Sequence, residues 1–138
     1  MKDLVFSGKH QLKSLVTQNK IILINYVDDK DTNVLYSHAL AFICSSIYEG
    51  FGIPILEAMQ SGTPVICSNT SSMPEIIGDC GIQIDPTNNE NLIEALKKMY
   101  YHPGFRRRCS KKGLNRAKLF TWDKCVSIMT HYFKISST

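Results

Sequence analysis

No stretch of this chain is apolar for long enough to cross a bilayer: Ile21–Ile24 and Leu40–Cys44 are among the longest runs, and both fall far short. Met1-Lys2-Asp3 leads into no apolar stretch with a small-residue cleavage site, so no secretory leader is expected. The 5 cysteines (Cys44, Cys67, Cys80, Cys109, Cys125) are odd in number and show no Cys-x-x-Cys spacing. That argues against a disulfide framework and for buried, reduced thiols, at Cys44 and Cys67 above all, in a cytoplasmic protein. The 4 histidines (His10, His38, His102, His131) stand apart from any cysteine pair, which argues against zinc. Acids are missing from 103–120, where Arg106, Arg107, Arg108, Lys111, Lys112, Arg116 and Lys118 concentrate the net charge of +4. One reading is a solvated helix face; the other is contact with anionic lipid heads or a lipid-linked pyrophosphate. Nucleic acid is set aside, since no binding motif accompanies the charge and only Phe105 and Phe120 could stack on bases.

What remains is a chain of 138 residues, 43% hydrophobic and 20% charged, suited to one soluble domain over 1–138. Apolar runs at Leu4–Ser7 and Ile21–Asn25 predict buried strands, Leu40–Cys44 and Val65–Cys67 predict two more strands, and Ile82–Ile84 predicts an alternating fifth. Between them lie helical patterns: Gln11–Asn19, a helix capped by Asp31, and the stretch before Gly62. Capping-box patterns at Ser72-x-x-Glu75 and Thr87-x-x-Glu90 predict two further helix starts. Leu92, Ala95, Leu96 and Met99 follow an amphipathic spacing. Pro103-Gly104 stops that helix, the basic helix follows, and Thr121 caps a last one with Trp122, Cys125, Val126, Met129 and Phe133 facing inward. Strands alternating with helices imply an α/β fold with a Rossmann-like parallel sheet and helices on both faces. Ligands in such sheets bind beyond the carboxyl ends of the strands.

Glu49-Gly50-Phe51-Gly52-Ile53-Pro54-Ile55-Leu56-Glu57 follows the third of these strands. Gly50 and Gly52 permit positive φ and close backbone approach to a ligand. Pro54 fits the first turn of a helix, where Glu57 is also expected, with Leu56 and Met59 toward the core. A helix start suits phosphate, and a nearby carboxylate suits a polyol. The plainer alternative makes Glu49 a solvated loop acid and Glu57 a complement to the helix dipole.

This stretch, continued through Gly62-Thr63-Pro64-Val65-Ile66 and Pro74-Glu75-Ile76-Ile77-Gly78-Asp79, resembles the family 4 glycosyltransferases. The similarity runs from about Leu4 to Phe133. It implies a retaining enzyme of GT-B type, in particular the mannosyl- or glucosyltransferases of bacterial surface polysaccharide synthesis. Such an enzyme moves a hexose from a nucleotide-diphosphate sugar to a glycan or lipid-linked acceptor. The chain would be the C-terminal, donor-binding half of that fold, lacking its first strand and the N-terminal acceptor domain. The loop after the missing strand would carry an Arg and a Lys for the diphosphate. By resemblance Glu49 contacts hydroxyls of the transferred sugar as the catalytic carboxylate. Gly50, Phe51 and Gly52 offer it backbone amides; Ile53, Pro54 and Ile55 form the helix start facing the diphosphate; Glu57 binds the ribose. The loop around Tyr26 and Val27 would lie near the base. No metal or other cofactor is implied, and peripheral contact with the inner membrane face through Arg106–Lys118 stands beside the solvated-face reading of that run. The alternative is an inactive nucleotide-sugar-binding module, or a structural remnant that needs a partner chain.

Overall fold

The computed structural model describes residues 15–18, 20–24 and 26–135. The elements run α1 (Asp29–His38), β1 (Phe42–Cys44), α2 (Ile53–Gln60), β2 (Val65–Ser68), α3 (Met73–Ile77), β3 (Ile82–Ile84), α4 (Asn89–Tyr101), α5 (Pro103–Ala117) and α6 (Trp122–Ile135). Among the described residues the sheet has three strands in the order β1-β2-β3. Both pairings are parallel, with Cys44 opposite Cys67 and Ser68 opposite Ile84.

β2 is the central strand, and all four of its residues are buried. Alternation along a strand sends neighbours to opposite faces, so β2 feeds two cores. Val65 and Cys67 join Ile55, Ala58, Met59, Met73, Ile76 and Ile77 from α2 and α3 on one face. Ile66 joins Ile84, Ala95, Met99 and Cys109 on the other, under α4 and α5. Parallel strands covered on both faces read as continuous apolar runs, as Val65-Ile66-Cys67 does. Each fully buried Ile or Met contributes about 1.5–3 kcal/mol relative to exposure. Burial pushes the Cys67 thiol up to about 12, with the neighbouring Cys44 adding to the effect. All five cysteines are free.

Ser68 carries the one buried side-chain hydroxyl without a hydrogen-bond partner among the described residues. It shares a sheet face with Ile66 and Ile84. An unpaired buried hydroxyl is a cost, so Ser68→Ala should leave stability within about 1 kcal/mol of the parent, or raise it. Urea melts check this; a larger loss would mean that the hydroxyl has a partner.

Several expectations change. Residues 21–24 form no strand: Ile22, Leu23 and Ile24 are 81%, 62% and 57% exposed. β-branched residues favour a ladder only where a neighbouring strand completes it, and no described strand lies beside them. The runs at Leu4–Ser7 and most of Gln11–Asn19 fall outside the described residues. α1 begins at Asp29 after Asp28, not after Asp31, and buries no residue. The residues of α6 whose exposure is described are all exposed, so Trp122, Cys125, Val126, Met129 and Phe133 do not face inward. Apolar periodicity fixes which face of α6 is apolar, not what covers it. Thr121 does cap α6, its Oγ1 accepting from Lys124 N–H at 3.2 Å.

Neither capping box forms. The Ser72 side chain makes no cap bond. α4 is capped instead by Asn88, whose Oδ1 accepts from the N–H groups of Glu90 and Asn91 at 3.0 and 3.4 Å. Thr87 bonds Asp85 instead, its N–H and Oγ1 both donating to Oδ1.

Candidate functional site

The loop that leaves β1 carries residues 45–52 and meets the loop that leaves β2. Three consecutive hydroxyls of the second loop hold the first. Thr70 Oγ1 donates to Ile47 O at 2.7 Å, and Ser71 Oγ donates to Glu49 O at 2.6 Å. Ser72 Oγ reaches both Glu49 O at 3.0 Å and Phe51 O at 2.9 Å. This is where the Ser72 hydroxyl goes instead of capping α3. Ser71 sits at φ 56°, a conformation that residues with a Cβ seldom adopt. The Phe51 ring meets Phe120 edge-on, with centroids 6.2 Å apart.

Gly52 is the N-cap of α2 at φ 93°, as a tight turn into the helix requires. A Cβ there would come within 3.3 Å of Ile55 Cδ1 and 3.4 Å of Ile76 Cδ1. Gly50 differs: its φ is not positive, and a Cβ would meet nothing within 4 Å. Ile55 N–H donates to Gly52 O at 3.0 Å and Pro54 has no N–H. The amides of Gly52 and Ile53 have no backbone partner among the described residues. Ile55 is fully buried and anchors the turn, while Ile53 and Pro54 are exposed. Met59 is core and Leu56 packs at its margin. α2 closes with Gly62 at φ 75°; Gly62 N–H donates to Met59 O and Thr63 N–H to Ala58 O, a Schellman pair.

Glu57 lies beyond the first turn of α2, which holds no acid. With eight residues in the helix and Ile53 first, seven intervening residues from Glu49 put Glu57 on the fifth helical position. Its carboxylate faces α1, where Tyr36 Oη donates to Oε2 at 3.3 Å. Burial first, then the Glu57 charge and hydrogen bond, raises the Tyr36 hydroxyl above its ordinary range. Both residues line a cleft of about 280 Å³ with Asp29, Thr32, Asn33, Gln60 and Ser61. Ser61 Oγ donates to Asn33 Oδ1 at 2.7 Å, linking two of the lining residues. Glu49 is half-buried and does not line this cleft, and no described residue bonds its carboxylate. The two carboxylates therefore serve different places: one in the loop, one in a polar cleft rich in hydrogen-bonding groups.

Sequence reasoning missed Tyr36, Asn33 and the Thr70-Ser71-Ser72 clamp; three adjacent hydroxyls after a strand were the available signal. It also passed over Asp29-Lys30-Asp31, an Asp-x-Asp in the first turn of α1 whose Asp29 lines the Glu57 cleft. Among the described residues no three His, Cys, Asp or Glu side chains gather as a metal site would need.

The basic run divides by task. Arg116 donates from Nε to Ile76 O and from Nη2 to Glu75 O, each at 2.6 Å, tying α5 to the end of α3. Lys112 pairs with Asp79 at 2.5 Å and holds its carboxyl below the usual range. Arg106 Nη1 donates to Met99 O at 2.7 Å, closing the end of α4. Arg107, Arg108, Lys111 and Lys118 have no acidic partner among the described residues. Over the same residues, no helix is long and apolar enough to cross a membrane.

The chain is similar to known proteins. The chain is 38% identical over 112 residues to the O-antigen chain mannosyltransferase B of Escherichia coli, covering 81% of this chain and 29% of that protein. It is 35% identical over 117 residues to the mannosylfructose-phosphate synthase of Agrobacterium fabrum, covering 83% and 26%. The chain thus spans under a third of the length of these relatives. In structure it superposes on a sucrose-phosphate synthase from Thermosynechococcus elongatus with a TM-score of 0.80 at 24% identity, covering 96% of this chain and 35% of that one. It also superposes on the C-terminal domain of a glycosyl transferase group 1 family protein from Francisella tularensis, with a TM-score of 0.68 at 28% identity, covering 80% and 60%. Residues 3–116 match the family described as glycosyl transferases group 1, and with most of the chain inside that match, it belongs to that family.

Proposed function

We propose that this chain is the donor-holding part of a retaining hexosyltransferase of the mannose or glucose class. It would work from a nucleotide-diphosphate sugar on a glycan or lipid-linked acceptor. The observation that carries this reading is the hydroxyl-clamped glycine turn opening into α2, with Glu57 further along the same helix in a polar cleft against α1. Mannosyltransferases among the relatives support the hexose class.

In this reading Glu49 meets hydroxyls of the transferred sugar and Glu57 those of the ribose. The free amides of Gly52 and Ile53 then point to the diphosphate. Pro54 and Ile55 shape the turn without donating, so the anion rests on fewer amides than a helix start usually offers. The clamp on the carbonyls of Glu49 and Phe51 holds the loop before donor arrives. Preorganisation of that kind favours attack on the sugar face from which the diphosphate leaves, where positioning and stabilisation of the departing charge dominate. The acceptor would be held by a further domain, which the relatives' greater length accommodates. Work at the cytoplasmic membrane face fits the free cysteines and the cations on α5 that lack acidic partners.

Calorimetry with UDP-glucose and GDP-mannose tests the reading. The 138-residue chain should bind one of them weakly and equally well with magnesium or with a chelator. Tight binding that appears only with magnesium would overturn the metal-free assignment and bring Asp29 and Asp31 into consideration. Binding of neither donor would overturn the reading itself.

A further inference from the structure

A second cleft, of about 440 Å³, opens where α4 turns into α5, and it shares no lining residue with the Glu57 cleft. Lys98, His102 and Arg108 line it, and no acid does. Its apolar wall is Phe105, with Tyr101 beside it. Lys98 Nζ stands 4.4 Å from the centroid of the Phe105 ring, and Arg108 Cζ stands 5.8 Å from the same centroid. One ring therefore gathers two cations.

Among the described residues two neighbouring cations are neutralised, whereas these two, like Arg107 and Lys111, are not. Lys97 pairs with Glu94 and Lys112 with Asp79, but neither Lys98 nor Arg108 has an acidic partner among the described residues. The corner itself is firmly held. His102 N–H donates to Lys98 O at 3.2 Å, Arg106 N–H donates to His102 O at 3.1 Å, and Arg106 Nη1 closes the α4 terminus on Met99 O. The space at Gly104 is open: a Cβ there would meet only Arg108 Nη1, at 4.0 Å. Lys98 and Arg108 bring donors and no acceptor, which suits an anion. Donors brought to one cleft from two helices suit a tetrahedral group with three oxygens. The aromatic wall suits an organic part attached to it.

We propose that this cleft is a phosphoryl-anion site, built by Lys98, His102 and Arg108 around Phe105. The phosphoryl group belongs either to a soluble phosphate ester or to the headgroup of an anionic lipid. The inference does not rest on the donor reading, and it narrows the part of the basic run that matters: Arg106, Lys112 and Arg116 are occupied within the fold.

Amide spectra of the full chain, titrated separately with inorganic phosphate and with phosphatidylglycerol–phosphatidylcholine vesicles, decide the matter. Saturable shifts are expected at His102, Gly104 and Phe105. Lys98→Gln with Arg108→Gln should weaken binding at least about tenfold, whereas Arg107→Gln with Lys111→Gln removes equal charge and should change it by less than about twofold. Saturation with phosphate marks a soluble ester as sufficient. Saturation with vesicles alone, in the same order of variants, marks a lipid headgroup; either result supports the site. If the first pair of changes disturbs folding, Lys98→Gln alone, at an exposed position, should still cost about threefold. Equal losses from both pairs would reduce the effect to diffuse surface charge. Equal losses, or no saturation with either probe, would overturn the proposal.

Discussion

Gly81→Ala should cost about 3 kcal/mol or more, enough to bring a domain of ordinary stability close to unfolding. Gly81 stands just before β3, pressed against the central strand. An added Cβ would fall on the carbonyl oxygen of Val65 and lie 2.5 Å from Ile77 Cδ1 and 3.2 Å from Ile77 Cγ1. Neither neighbour can give way cheaply. The Val65 oxygen belongs to the backbone of β2, and Ile77 is fully buried in the α2–α3 core. Relief requires β3 to move off β2, which breaks the pairing of Ile66 with Ile82 and of Ser68 with Ile84. Gly50→Ala is the internal control, because its Cβ would meet nothing within 4 Å. Urea unfolding of both variants should separate them by most of that amount. A loss below about 1 kcal/mol for Gly81→Ala would show that β3 is not held this closely.

That contact was not legible in the sequence, where Gly81 reads as one more turn residue between a helix and a strand. Local pattern served well where one element determines its own form. The apolar runs at Leu40–Cys44, Val65–Cys67 and Ile82–Ile84 each hold a strand, though β1 covers only Phe42–Cys44 and buries none of them, and the spacing of Leu92, Ala95 and Met99 is a helix whose Ala95 and Met99 are buried. Pro54 and Gly62 sit at the start and end of α2, as steric rules require. Pattern failed where a partner decides the outcome. Ile22, Leu23 and Ile24 have a strand's composition without a described neighbour, and the apolar face of α6 is exposed.

The site shows the same division. Gly52 is the tight turn that its place before Ile53-Pro54 predicts, but Gly50 is not. The two capping boxes fit their pattern, yet the Ser72 hydroxyl bonds the Glu49 loop and Asn88 caps α4. Side-chain oxygens go to whichever donor or acceptor tertiary structure brings near, and a spacing rule cannot see that competition. Glu57 was found by its spacing from Glu49, but its cleft, made with Tyr36 and Asn33, depends on α1 lying across α2.

Glu57→Ala should remove about 1–3 kcal/mol of affinity for a bare nucleoside diphosphate, and Glu49→Ala almost none. The assignment places Glu57 on the ribose, which the nucleotide keeps, and Glu49 on the sugar, which it lacks. The geometry supports unequal effects. The Glu57 carboxylate is oriented by Tyr36 within a cleft that Glu49 does not line. Glu57 is exposed, so the loss of its side chain removes a ligand contact without opening the core. The Ile55–Met59 packing that carries α2 is left intact. The decisive measurement is calorimetric titration of UDP and GDP, and then of their sugar conjugates, into the parent chain and both variants. The account predicts that Glu57→Ala weakens every ligand the parent binds, while Glu49→Ala weakens only the sugar conjugates. Equal losses from the two substitutions with the bare nucleotide would contradict it.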